Sequence, residues 1–140
     1  MSYIRKGSAL IIVMLLLALF SSLGALFVKI VYNNYASANA VLVREQAFHL
    51  AEAGLEKAKV ELVHNPLWYT DPPYYLEDNA QWLVNYAVGQ ENYLGEGSFK
   101  IVREKDKDRL YSIGSKGKGL VILKLTFSNP PLNILEWKEL

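Results

Sequence analysis

The chain has 140 residues, no cysteine and a formal net charge of +1, which together exclude several classes of protein. Without cysteine there is no disulfide framework and no thiolate metal site, and with no basic run longer than two residues there is no electrostatic footprint for nucleic acid. Hydrophobic residues make up 51% of the chain, but many of them sit in one stretch near the N-terminus, so the figure says little about the remainder.

That stretch is Ala9–Val28, ALIIVMLLLALFSSLGALFV, twenty residues without a charge. At about 1.5 Å per residue it matches the roughly 30 Å hydrocarbon core of a bilayer. Ser21, Ser22 and Gly24 are concessions that a membrane helix tolerates. Arg5 and Lys6 precede it and Lys29 follows it, so the positive-inside rule keeps the leader MSYIRKG cytoplasmic and sends the rest across the inner membrane. The remaining residues, about 110, suffice for one small domain and not for two. Read from the residues alone, the segment is a cleaved secretory signal with Ala36-Ser37-Ala38 as its A-x-A site, or an uncleaved signal-anchor. Against the first, the apolar run exceeds the usual length and the site lies well beyond its end.

From Ile30 to about Val63 the chain has no proline and a single glycine, Gly54. Phe48, Ala51, Leu55, Ala58 and Leu62 recur at alternating steps of three and four, the apolar stripe of an amphipathic helix that packs on a domain. Glu45, Glu52, Glu56, Lys57, Lys59 and Glu61 fall mostly off the stripe, with Lys57 and Glu61 spaced as an i,i+4 pair. Pro66 stops the pattern and biases Asn65 away from helical angles. One helix over 8–64, roughly 85 Å long, is predicted. His49 and His64 are the two histidines. Glu45 stands one turn before His49, but two potential ligands without a third describe a solvated helix face, not a metal site.

Between Leu67 and Tyr93 lie Trp68, Tyr69, Tyr74, Tyr75, Trp82, Tyr86 and Tyr93, punctuated by Asp71-Pro72-Pro73 as a turn or extended link. Asp78 with Gln81 suggests a capping box, and Gly89 a stop, for a short helix over 79–88; Val84, Tyr86 and Val88 alternate as a strand would, so both assignments stand. The rings suit either a carbohydrate or peptide groove, or the burial of the long helix under a sheet, which is the expected use. Ser98–Glu104, Leu110–Ser115 and Leu120–Phe127 are strand-like runs joined by the short turns KDKD and KGKG, which implies an antiparallel meander. Val121, Leu123, Leu125 and Phe127 are expected to line one face, with Lys124 and Thr126 meeting water on the other. Asp106 and Asp108, interleaved with lysines, read as a charged turn and not as a calcium loop. The tail 132–140 alternates at Leu135 and Trp137 as an edge strand would.

The junction Arg5-Lys6-Gly7-Ser8, with an apolar helix following at once, resembles the class III signal of type IV pilins and pseudopilins. Gln46-Ala47-Phe48-His49-Leu50-Ala51-Glu52-Ala53-Gly54-Leu55-Glu56 is similar to the A-x-x-x-A-E-A-G-L-E stretch of PilX-type minor pilins, and Trp137 with Glu139 more loosely to the W-x-E endings of some of them. The resemblance covers nearly the whole helix. It implies an α+β, type IV pilin-like fold: a leader (1–7), the membrane half of a long helix (8–28), its amphipathic half (29–64), an aromatic-rich connection (65–97), and a small antiparallel meander with its tail (98–140). It further implies cleavage between Gly7 and Ser8 by a prepilin peptidase, and assembly with other major and minor pilin-like subunits. Ser8 stands where major pilins usually carry an aromatic or Met, and Ile12 where most carry a Glu. A carboxylate at bilayer depth costs a few kcal/mol and is kept only for a task, in pilins the pairing with a neighbour's terminal amine. Its absence at Ile12 is typical of PilX-type minor pilins and of the tip pseudopilin of type II secretion. The expected function is that of a structural subunit at or near a filament tip, without enzyme signature, cofactor or metal. The alternative is an uncleaved bitopic periplasmic binding protein with an aromatic ligand groove.

Overall fold

The computed structural model describes residues 3–70 and 78–140, with side chains from Gly7 onward. Its elements are α1 (Tyr3–His64), α2 (Ala80–Asn85), β1 (Gln90–Leu94), β2 (Gly97–Val102), β3 (Arg109–Lys116), β4 (Gly119–Ser128) and β5 (Asn133–Glu139). The chain is α+β, one long N-terminal helix packed on a five-stranded antiparallel sheet. It forms two compact units, Met1–Asn39 and Ala40–Leu140.

The first unit is uninterrupted helix, and α1 begins at Tyr3, ahead of the expected start at Ser8. Its apolar side chains are exposed throughout, from Leu10 at 63% to Val31 at 51%. Ser21, Ser22 and Gly24 leave the helix unbroken, and Ser22 Oγ donates back to the Leu19 carbonyl at 2.8 Å. A backbone whose polar groups are all paired within the segment, under a continuous apolar surface, meets the requirement for crossing a bilayer.

In the second unit the helix from Ala40 to His64 covers one face of the sheet. Ala47, Leu50, Ala51, Leu55, Ala58 and Leu62 are buried against Phe99, Ile101, Leu110, Val121, Leu123, Leu125 and Phe127, with Phe48 and Trp68 partly buried beside them. The small residues have a definite use. A Cβ on Gly114, in the middle of β3, would overlap the carbonyl oxygen of Ala47, and one on Gly54 would overlap Ser112 Oγ. Helix backbone therefore lies almost directly on strand backbone, an approach that only glycine in the strand interior permits. The helix ends where expected, at His64. Asn65 N donates to the Glu61 carbonyl at 2.8 Å, and Asn65 Oδ1 accepts from Leu67 N at 3.1 Å as the chain turns away.

The sheet order is β1-β2-β3-β4-β5, a simple meander. Leu94 pairs with Gly97 and Lys116 with Gly119, leaving two-residue turns that begin with Gly95 and Gly117 at positive φ, as II′ hairpins require. The runs at 98–104, 110–115 and 120–127 correspond to β2, β3 and β4, and the tail forms edge strand β5. Strand β1, in the expected aromatic connection, is an addition. Its composition, QENYL, is too polar to announce a strand, and it exists because β2 offers it a partner.

Two expectations are corrected. The side of β4 opposite the long helix does not simply meet water, for Ile122 is 2% exposed. Leu83, Ala87, Val102, Tyr111, Ile113 and Ile122 form a second small core there, under α2. The aromatic stretch does not supply the main core, which is aliphatic apart from Phe99 and Phe127, while Tyr86 and Tyr93 are 69% and 78% exposed. Tyr74, Tyr75 and the Asp71-Pro72-Pro73 link lie outside the described residues.

Residues 79–88, open between helix and strand, hold α2, but not by the expected cap. Asn79 is the N-cap, its Oδ1 accepting from Gln81 N at 2.9 Å and Trp82 N at 3.2 Å. Asp78 faces the sheet, and Gly89 lies beyond the C-cap residue Tyr86, in the link to β1.

Candidate functional site

Gly7, Ser8 and Ile12 fall in the first unit, on consecutive exposed turns of α1. Nothing lies within 4 Å of where a Gly7 Cβ would be, and Ile12 is 59% exposed among Leu10, Ile11 and Leu16. The expected packing face falls in the second unit. Ala51, Leu55, Ala58 and Leu62 are buried in the main core, and Phe48 is half-buried at its margin, with its ring 6.4 Å from that of Trp137. The structure thus divides the sequence-derived residues into two groups, one on each unit.

Beside the packing face lies a groove of about 330 Å³, floored by Leu55, Leu123, Leu125, Ile134 and Trp137 and rimmed by Glu52, Glu56 and Lys59. Lys59 Nζ donates to Glu56 Oε1 at 2.5 Å, so the rim is partly self-neutralised. Lys57, placed by spacing against Glu61, donates instead to Asn92 Oδ1 at 2.5 Å and ties α1 to β1. His49 Nδ1 stands 3.0 Å from Glu52 Oε2, on the exposed surface, not against Glu45. Among the described residues no three His, Asp or Glu side chains gather as a metal site would.

The second core is closed by polar ties that sequence reasoning missed. Tyr111 Oη donates to Asp78 Oδ1 at 2.9 Å and Lys124 Nζ to Asp78 Oδ2 at 2.6 Å. Burial raises the Asp78 pKa, but the hydrogen bonds from Lys124 and Tyr111 and the charges of Lys124 and Lys138 outweigh it and hold the carboxyl below its ordinary value. Burial, then the bond to Asp78, pushes the Tyr111 phenol well above its ordinary range. At the other end of α2, Lys100 Nζ donates to the Ala87 carbonyl at 2.8 Å and approaches that of Val84 at 3.4 Å. Each tie spans 13 or more positions, and no local spacing announces it.

Arg103 holds the turn after α1. It is 4% exposed, its guanidinium donating to the carbonyls of Trp68, Pro66 and Lys107 and lying 5.1 Å over the Phe127 ring. Burial lowers its pKa, and the charges of Asp108 and Asp106 oppose that shift. These two aspartates of the KDKD turn therefore act as nearby counter-charges to a buried cation.

Comparison with protein-family models, with curated proteins and with solved structures returns no match for this chain. Its class rests on its own geometry: an α+β chain in which one helix carries first an exposed apolar segment and then a stripe buried on an antiparallel meander.

Proposed function

We propose that this chain is a minor pilin or pseudopilin, a structural subunit at or near the tip of a type IV pilus or related secretion filament. The observation that carries the reading is the covalent continuity of α1. One uninterrupted helix runs from the Gly7-Ser8 junction through an uncharged segment of bilayer length into the stripe that packs on the meander. Such a helix serves in two solvents, lipid during storage and neighbouring helices in a filament, because every backbone group is satisfied internally in both. The domain is held on the periplasmic side, a prepilin peptidase cuts after Gly7, and the partners are other pilin-like subunits.

Ile12 supports the position at the tip. A subunit without the carboxylate has no charged group with which to pair to a predecessor's amine, yet offers its own surface to a later arrival. Co-expression with a prepilin peptidase tests the processing step: the wild type shortens by about seven residues on a gel, and a bulky residue at Gly7 blocks the shift. Unchanged mobility of both chains rejects the reading. Immunogold labelling tests placement, label confined to filament ends being expected; label along the shaft rejects the tip, and absence from filaments favours a membrane resident.

A further inference from the structure

Strand β5 is an open sheet edge, and its seven residues are all exposed. Glu139, Trp137 and Ile134 stand opposite Leu123, Leu125 and Phe127 of the main core, so all three face α1. The bulge at Leu135 absorbs one residue and makes them successive positions of that face. Two cavities lie along this line, between β5 and α1. One is the groove of about 330 Å³ at Ile134 and Trp137. The other, about 270 Å³, is lined by Val41, Arg44, Glu45, Phe48 and Glu139. Phe48 lines one and Trp137 the other, with their rings 6.4 Å apart, so the two cavities are neighbours.

The chemistry of each part limits what can occupy it. Leu140 N donates to the Ile122 carbonyl at 3.0 Å. Alternation along an antiparallel ladder then turns the N–H and C=O of Lys138 and Glu136 toward β4, and those of Trp137 and Glu139 outward, in phase with a further extended backbone. Each cavity carries one negative charge in excess. Glu45 and Glu139 outnumber Arg44 in the smaller, and Glu52 and Glu56 outnumber Lys59 in the larger, with the histidines neutral. Arg44 is engaged by Glu139 at 2.6 Å, which leaves Glu45 as an exposed carboxylate that forms no ion pair among the described residues. Val41 and Phe48 beside it offer apolar surface to a long aliphatic stem.

We propose that β5 is a docking edge for an extended basic segment of another protein, which adds antiparallel as a sixth strand. The antiparallel direction is the more stable per residue, and it lets the residue opposite Trp137 exchange both backbone hydrogen bonds with it. The side chain of that residue lies on the Phe48 and Trp137 rings. Two positions before it, opposite Glu139, a lysine or arginine runs its stem along Val41 and Phe48 and brings its charge to Glu45. Two positions after it, an apolar side chain enters the groove beside Ile134. The segment therefore reads basic-x-apolar-x-apolar. Main-chain bonds supply affinity, and the two cavities supply specificity. The added strand belongs to a different chain, so it leaves the direction of α1 in a bilayer unaffected, and the inference is independent of the filament reading.

The probe is a short fluorescein-labelled peptide with lysine, valine and leucine at alternate central positions and threonine elsewhere. It is titrated against the full chain in detergent micelles, with empty micelles as the blank, and read by fluorescence anisotropy. Saturable binding is expected. Methylating the valine amide removes its bond to Trp137 and is expected to weaken binding about tenfold, whereas methylating the preceding threonine amide, which points away from β5, changes little. E45K is expected to weaken binding about fivefold and to favour the same peptide with glutamate in place of lysine. Equal binding of the valine-methylated peptide, indifference to E45K, or equal binding of the peptide in reversed order each overturns the proposal. So does absence of binding to the wild type, or a dimer in sedimentation that the peptide disperses, which assigns the edge to a second copy.

Discussion

The two faces of the sheet are closed in opposite ways. On one, a helix of many turns lies so close that Gly114 meets the Ala47 carbonyl, and the seal is made by aliphatic side chains with hardly a polar group. On the other, the six residues of α2 bury Leu83 and depend on Asn79, Asp78 and Lys100 to stay in place. A helix that short has no stability of its own. The large face is held by area and shape, the small face by a few directed bonds, so the first is expected to unfold only with the whole domain and the second to open locally.

The largest effect is expected from Gly114→Val, which drives a side chain into helix backbone. A loss of about 4 kcal/mol or more, with cooperative unfolding, should appear in chemical denaturation. A near-native midpoint would show that α1 can lift from β3. Leu62→Ala, at a position with no exposure, should cost about 2–5 kcal/mol.

On the small face, Asp78→Ala removes two bonds at once and should cost about 1–2 kcal/mol, with faster hydrogen exchange at Leu83 and little change at Leu123. Its pH dependence has a definite sign. The folded carboxyl titrates below its ordinary value, so its contribution is complete above about pH 4 and disappears as the pH falls through the lowered folded value. Denaturation curves of the wild type should show this acid limb, and those of Asp78→Ala should lack its share. The smallest effect is expected from Asn79→Ala, about 1 kcal/mol from loss of the cap, read as helix fraying in hydrogen exchange. If it instead lowers the stability of both faces equally, α2 and α1 belong to one cooperative unit and the distinction between the faces fails.

Legibility followed the same division. The stripe through Leu55, Ala58 and Leu62, and the alternation from Val121 to Phe127, are periodic signals that survive in the sequence because a wide apolar interface needs many residues in phase. Gly114 left a fainter trace, a glycine inside a strand pattern, whose cause becomes apparent only once Ala47 is set against it. Asp78 had the spacing of a cap, and the adjacent Asn79 took the role because Tyr111 and Lys124, 33 and 46 positions away, engage the aspartate. The clustered rings misled in the opposite direction. Aromatic density measures potential area, whereas Tyr86 and Tyr93 point to solvent once helix and sheet already fit without them.

By itself, then, the sequence determined the uncharged segment of bilayer length, the helical stripe that continues it, and the hairpin-linked strands, all of which depend on neighbours within about ten positions. The tertiary structure alone decided that the sheet has two covered faces, that β1 is a strand, that Asp78 is a tie and not a cap, and that β5 is left as an exposed sheet edge. These depend on groups brought together from distant parts of the chain, and the energy of such a contact leaves no periodicity behind it.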